Sequence, residues 1–162
     1  MPKKSAGLLL YRENSRGRVE VLLVHPGGPF WRNKDEGAWT IPKGEFDDGE
    51  DPLAAAKREF EEETGAPPPP EKADAQYISL KPIKQSNGKT VHAWAVRSDF
   101  DPAIIKSNVF EIEWPPKSGR TQGFPEVDRA QWFTPEVARQ KIIPAQAALI
   151  DELLMVLNIA SN

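Results

Sequence analysis

The stretch over residues 44–66, GEFDDGEDPLAAAKREFEEETGA, constrains this chain more than any other. Asp51 can cap a helix, Pro52 suits its first position, and Thr64-Gly65 reads as its end, so the spacing predicts a helix over 52–64. At about 100° per residue, Glu59, Glu62 and Glu63 fall within an arc of about 100°, with the small Ala55 on the same arc. Leu53, Ala56 and Phe60 gather on the neighbouring face. One face is expected to pack and the other to present carboxylates, with Ala55 leaving room above the helix for ions and phosphates. Three carboxylates this close repel one another, and hard oxygen donors of this kind suit Mg²⁺ or Mn²⁺. Glu61 points away from the group. Arg58 lies one turn before Glu62 and can orient it as an ion pair.

A Glu-rich helix alone would read as a solvated face. The joint placement of Gly44, Glu50, Arg58, Glu59, Phe60, Glu62, Glu63, Gly65 and an apolar Ala66 argues otherwise, because it resembles a Nudix box. The resemblance implies an α/β Nudix fold, a mixed β-sheet sandwiched between α-helices. It implies metal-dependent hydrolysis of a pyrophosphate bond in a nucleoside diphosphate-linked substrate, with water attacking one phosphorus and more than one Mg²⁺ or Mn²⁺ ion taking part. It also implies metal ligation by Glu59 and Glu63, then Glu62, with Glu50 as a supporting acid and the Lys43 carbonyl as a further ligand.

Trp39-Thr40-Ile41-Pro42-Lys43-Gly44 resembles the WxxPKG lead-in of dinucleoside polyphosphate hydrolases and inositol-pyrophosphate relatives, which makes the Lys43 side chain a candidate phosphate contact. Glu126, followed by Trp132, matches an acid that precedes a tryptophan in the dinucleoside polyphosphate hydrolases. Glu126 is thus a candidate metal ligand or general base, on a loop expected to reach the helix once substrate is bound, with Glu62 the rival base. Glu62, Glu63, Glu126 and Arg58 form the expected catalytic set. Phe30, Trp31 and Trp114 have loop-like surroundings and are candidates to flank a nucleobase, whereas Trp132 is assigned to packing. Arg120 reads either as a contact to a distal phosphate or as a solvated charge. His25 and His92 sit in apparent strands without metal-pair spacing and read as structural. Two alternatives stand beside the dinucleoside polyphosphate reading: an ADP-ribose pyrophosphatase, toward which Pro82 points, and a non-catalytic nucleotide-sensing module.

The 162 residues, 39% hydrophobic and 28% charged, suit one domain over 1–162. The chain has no cysteine, which points to a cytoplasmic location. The longest apolar runs, near 7–10 and 21–24, are too short to span a membrane, and Met1-Pro2-Lys3-Lys4 lacks a following leader core. A net charge of -3 argues against long nucleic acid, leaves room for a local basic cleft, and suits a small nucleotide partner. Nothing in the sequence sets the oligomeric state.

Apolar runs predict strands over 5–11 and 19–25, with 38–41 leading into the box. Beyond the stiff Pro67 to Pro70 connector, 76–84 and 90–97 flank a turn at Ser86-Asn87-Gly88-Lys89. Shorter strands over 109–114 and 129–133 are expected to extend the sheet, and Thr134-Pro135-Glu136 resembles a helix start. An amphipathic run over 145–157 is expected to pack back on the sheet.

Overall fold

The structure, a computed structural model, describes residues 3–73 and 75–157. Met1 and Pro2, where the leader reading starts, lie outside them. Strands β1 (Lys4–Glu13) and β2 (Val19–Pro26) are buried along most of their length, as expected for apolar runs covered on both sides. They meet only at their turn-proximal ends, from Tyr11↔Val21 to Glu13↔Val19. The N-terminal part of the same β1 edge is taken by β3 (Lys43–Phe46), paired antiparallel from Lys4↔Phe46 to Gly7↔Lys43. The 38–41 segment leads into this strand as expected, and Trp39 and Thr40 make isolated bridges to Ile142 and Val24.

The first helix, α1 (Pro52–Thr64), has the predicted bounds: the Asp51 carboxylate accepts from the Ala54 amide at 2.9 Å, and Gly65 closes it at φ 76°. The stretch expected as one strand over 76–84 is two short ones, β4 (Ile78–Ser79) and β5 (Ile83–Lys84), interrupted by Pro82. Both pair with β6 (Thr90–Arg97), which runs parallel to β1, and the turn over 85–89 closes through a Gln85–Lys89 backbone hydrogen bond of 2.8 Å. Val109–Glu113 (β7) does not extend this sheet. It pairs with a strand the sequence did not reveal, β8 (Thr121–Pro125), as a separate two-stranded hairpin. Strand β9 (Val127–Phe133) completes the main sheet against β2. Helices α2 (Pro135–Lys141) and α3 (Ala147–Val156) follow.

The central strands feed two cores by alternation. Leu9, Tyr11, Val21, Leu23 and Phe133 pack with Ala138, Leu149, Ile150 and Leu153 of α2 and α3, whereas Ala6, Leu8, Leu10, Leu22 and Trp132 pack with Ala55, Ala56 and Phe60 of α1. The mixed sheet is thus sandwiched between helices. Ala55 is fully buried and leaves no space for ions, contrary to the helical-arc reading, while Leu53 is only partly covered. Alanines at 55 and 56 let the helix backbone come close to Ala6. Trp132 packs as expected, its indole N–H donating to the Phe100 carbonyl at 2.9 Å.

Gly7 controls how closely β1 approaches β3, because an added Cβ would overlap the Pro42 carbonyl and lie 2.7 Å from the Lys43 Cβ. Gly7→Ala is expected to cost about 1–3 kcal/mol through overpacking of this contact. Urea unfolding checks it: the midpoint falls with an unchanged slope, and an unmoved midpoint would contradict the close approach.

Candidate active site

The β1–β3 pairing fixes Lys43 and Gly44 against the exposed flank of α1. Any side chain at Gly44 would overlap the Glu59 carboxylate, so glycine here allows that carboxylate to lie directly against the β3 backbone. One turn further along α1, Glu63 accepts the Lys43 amide at 3.2 Å. Arg58 holds the third acid and the preceding loop. Its Nε and Nη2 donate to Glu50 at 3.0 and 3.1 Å, Nη1 donates to Glu59 at 2.6 Å, and Glu62 lies 3.5 Å from Nη1. The expected Arg58–Glu62 pair is present, but Arg58 engages Glu50 and Glu59 more closely. Glu61 is exposed and outside the group, as predicted.

Glu126 joins these acids through main-chain contacts. The Asn108 amide donates to the Glu62 carbonyl at 2.8 Å, the Glu126 amide to the Asn108 carbonyl at 2.8 Å, and the Gly27 amide to the Glu126 carbonyl at 2.9 Å. The residue expected on a swinging loop is instead tethered at the base of the β7–β8 hairpin, beside the last turn of α1. Asn108 does this through its backbone, so no side-chain signal could have marked it.

Crowding and burial raise the affinity of these acids for protons. Burial first, then the charge of Glu62, pushes Glu59 up to about 7 despite Arg58. Burial pushes Glu63 to about 8, with the charges of Glu59 and Glu126 adding to it and the Lys43 amide opposing it. Glu126 is raised by burial and by Glu62. Burial, followed by the neighbouring Lys89 charge, lowers Lys43. These are acids short of positive charge, and their hard oxygens match a divalent cation in donor type. Among the described residues no three carboxylate or imidazole groups yet converge as a closed metal cage. Arg58 and the Lys43 amide are the present partners of Glu59 and Glu63.

The aromatic candidates lie to one side. Phe30 and Trp114 meet edge to face at 5.5 Å, while Trp31 is 38% exposed with the Lys34 ammonium 5.0 Å from its ring centroid. Arg120 pairs with Trp114 near the exposed end of the hairpin. The five residues of β8 separate Arg120 from Glu126, a span of about 20 Å, so it is not gathered with the acids. Pro82 lines a groove against α3, on the sheet face opposite α1, and contributes nothing to the carboxylate group. His25 is structural: buried, it bonds Asp128 at 2.9 Å and the Lys34 carbonyl at 2.6 Å. A position that sequence reasoning missed is Gln146, whose buried amide oxygen accepts the Ile41 N–H at 3.0 Å from 105 residues away and anchors the segment leading to Lys43.

A mixed sheet between helices, with a carboxylate-bearing first helix seated on a glycine of its preceding strand, is the architecture of a Nudix domain. The model of the NUDIX domain matches residues 1–153. The chain belongs to the Nudix family. The RNA pyrophosphohydrolase of Caulobacter vibrioides is 44% identical over 55 residues, 31% of this chain and 32% of that protein. The bis(5'-nucleosyl)-tetraphosphatase of Caenorhabditis elegans is 43% identical over 63 residues, 39% of this chain and 41% of that protein. The matched stretches thus span about a third to two-fifths of these relatives. The C. elegans Ap4A hydrolase binary complex shares the fold with a TM-score of 0.63 at 24% identity, covering 96% of this chain and 98% of that one. No described helix is long and apolar enough to cross a membrane.

The raised acids set a pH dependence. A carboxyl whose folded pKa exceeds its unfolded value near 4.5 stabilises the fold below that value, and the contribution is lost as pH rises through the folded pKa, here about 8 for Glu63. With chelator present, Glu63→Gln is expected to melt close to wild type near pH 5 and above it by pH 8. The difference between the two proteins removes His92, whose lowered pKa acts in the opposite direction, and melting curves across this window measure it. A constant difference across the window would contradict the burial of this acid.

Proposed function

We propose that this chain is a single-domain Nudix hydrolase over 1–162 that cleaves a phosphoanhydride bond in a nucleoside diphosphate-linked substrate, a dinucleoside polyphosphate foremost. The observation that carries the reading is the group of Glu59, Glu62, Glu63 and Glu126, in which burial and neighbouring carboxylates raise Glu59, Glu63 and Glu126, and Glu59 is seated against Gly44. Glu59 and Glu63 would hold Mg²⁺ or Mn²⁺, with Glu62, Glu126, the Lys43 carbonyl and Glu50 supporting more than one ion. When bound, the ions supply charge neutralisation, polarisation of phosphoryl oxygens and acidification of water.

The protein groups position and exchange protons. Arg58 holds Glu50 and Glu59 in register, and the Lys43 amide fixes one Glu63 oxygen. Water oxygen attacks phosphorus as the bond to the leaving phosphate breaks, and the water proton passes to a Glu126 carboxylate oxygen. The tether through Asn108 favours Glu126 over Glu62 as this base, since it brings to the last turn of α1 a carboxylate that is not one of the helix acids. The Lys43 ammonium faces the phosphate chain, Trp31 and the Phe30–Trp114 pair offer a nucleobase surface, and Arg120 takes the far end of an extended substrate.

The C. elegans tetraphosphatase likeness supports the dinucleoside substrate, and the Caulobacter likeness makes a 5'-phosphorylated RNA end the rival within the same chemistry. ADP-ribose ranks lower now that Pro82 faces away from the acids. The retained acid set argues against a non-catalytic sensing module. We place the activity in the cytoplasm, on a small nucleotide, with no membrane or long nucleic acid partner.

Hydrolysis of Ap4A, nucleoside triphosphates, ADP-ribose, 5'-triphosphorylated RNA and inositol pyrophosphates, with Mg²⁺ or Mn²⁺ and with chelator, tests the reading. Metal-dependent cleavage with Ap4A preferred is expected. No turnover with tight nucleotide binding would overturn it in favour of sensing. Glu63→Gln is expected to remove most turnover while the protein stays folded, and near-normal turnover at saturating Mg²⁺ would refute its role. Glu126→Gln is expected to lower kcat by about 10²- to 10⁴-fold, with nucleotide affinity nearly kept and the acidic limb of the pH profile lost. Full activity with an unchanged profile would move the base to Glu62.

A further inference from the structure

On the other side of the sheet, next to edge strand β9, lies an open recess of about 340 Å³ whose wall carries Arg32, Lys34, Arg129 and Lys141 around a single acid, Asp35, with Trp39 at its base. The charges do not cancel. Asp35 is fully engaged, since it accepts the Trp39 indole N–H at 2.8 Å and pairs with Lys141, which holds its carboxyl below the usual range. Asp128, next to Arg129 in sequence, is occupied by His25. Arg32, Lys34 and Arg129 have no carboxylate partner among the described residues, in a chain whose overall charge is -3. Three unneutralised cations around one concavity repel one another and attract a multiply charged anion.

The recess is also preorganised. The Arg129 guanidinium lies 5.2 Å from the Trp39 ring centroid, and the Lys34 ammonium lies 5.0 Å from that of Trp31. Buried His25 fixes the Lys34 carbonyl, and backbone turns tie Arg32 to Gly28 and Ala38 to Asp35. The side chains of Trp39 and Phe133 place the recess on the α2–α3 face, whereas the carboxylate group belongs to the α1 flank. The two charge clusters therefore lie on different faces of the sheet, linked along the chain by the 27–37 loop and by the start of β9, where Glu126 precedes Arg129 by three residues.

We propose that this recess is a second anion site, which takes a chain of two or more phosphoryl groups. Tripolyphosphate is the probe, added with chelator and no divalent cation so that the carboxylate site cannot bind it through metal. Nuclear magnetic resonance titration is expected to show saturable shifts at the amides of residues 32–35 and at Arg129, at concentrations at least tenfold below those needed for orthophosphate. Lys34→Gln combined with Arg129→Gln, both exposed and with an unchanged melting curve expected, is predicted to abolish those shifts, while Glu59→Gln combined with Glu63→Gln leaves them intact. Absent or non-saturating shifts, or shifts that survive the Lys34–Arg129 double variant, would overturn the site. Hydrolysis kinetics then separate two sources of the same chemistry. A KM that rises only for long-chain substrates in the double variant assigns the site to the substrate's far end, whereas an unchanged KM with tripolyphosphate altering the wild-type rate assigns it to a free anion. Failure of hydrolysis itself leaves the titration readable, so the anion site and the catalytic reading fail separately.

Discussion

Everything at the carboxylate site depends on the close seating of α1 against β3. Glu59 lies where a Gly44 side chain would be, and Glu63 takes the amide of Lys43, so two acids one turn apart are pressed onto the same piece of extended backbone. Water is withdrawn from both, which raises their affinity for protons even though Arg58 gives Glu59 a counter-charge. The metal-free protein stores that electrostatic cost at one place. The two buried cores make this possible, because Phe60, Ala55 and Ala56 on the far side of the helix anchor it to the sheet while its acidic flank is left at the edge.

How much of this could be read from the chain follows from how local each signal is. The whole of α1 was legible: its cap, its proline, its closing glycine and its acids are within a few residues of one another. The orientation of Ala55 was not, because helical phase fixes relative positions but not how far a helix rolls onto its sheet. Strand β8 was hidden because TQGFP carries a glycine and a proline and pairs only with β7, a hairpin exposed on most of its surface. Lys43–Phe46 was missed as a strand since its pattern is polar and its partner, the N-terminal part of β1, is far away in sequence. Glu126 was a candidate by resemblance, but its tether to Glu62 through the Asn108 backbone has no sequence signature. The same holds for the basic recess, where Arg32 and Lys34 lie about a hundred residues from Arg129 and Lys141.

The charge map that results is divided rather than uniform. A chain with a small net negative charge concentrates its acids on the α1 flank and leaves unpaired cations beside β9, on the other face of the sheet. Loop 27–37 belongs to both regions. Its Gly27 and Gly28 fit against Pro125 and Phe110 of the hairpin, its Phe30 meets Trp114, and its Arg32 and Lys34 border the recess. Without Gly27 and Gly28 the loop could not lie this close to the hairpin base that holds Glu126.

Burial keeps protons on Glu59 and Glu63, so a divalent cation that bound there would have to displace them. Calorimetry of Mn²⁺ binding at pH 7, repeated in buffers of different ionisation enthalpy, tests it most directly. An apparent enthalpy that varies with the buffer in the sense of proton release from the protein is expected, with a release that shrinks in Glu63→Gln. Binding with no dependence on the buffer would contradict it.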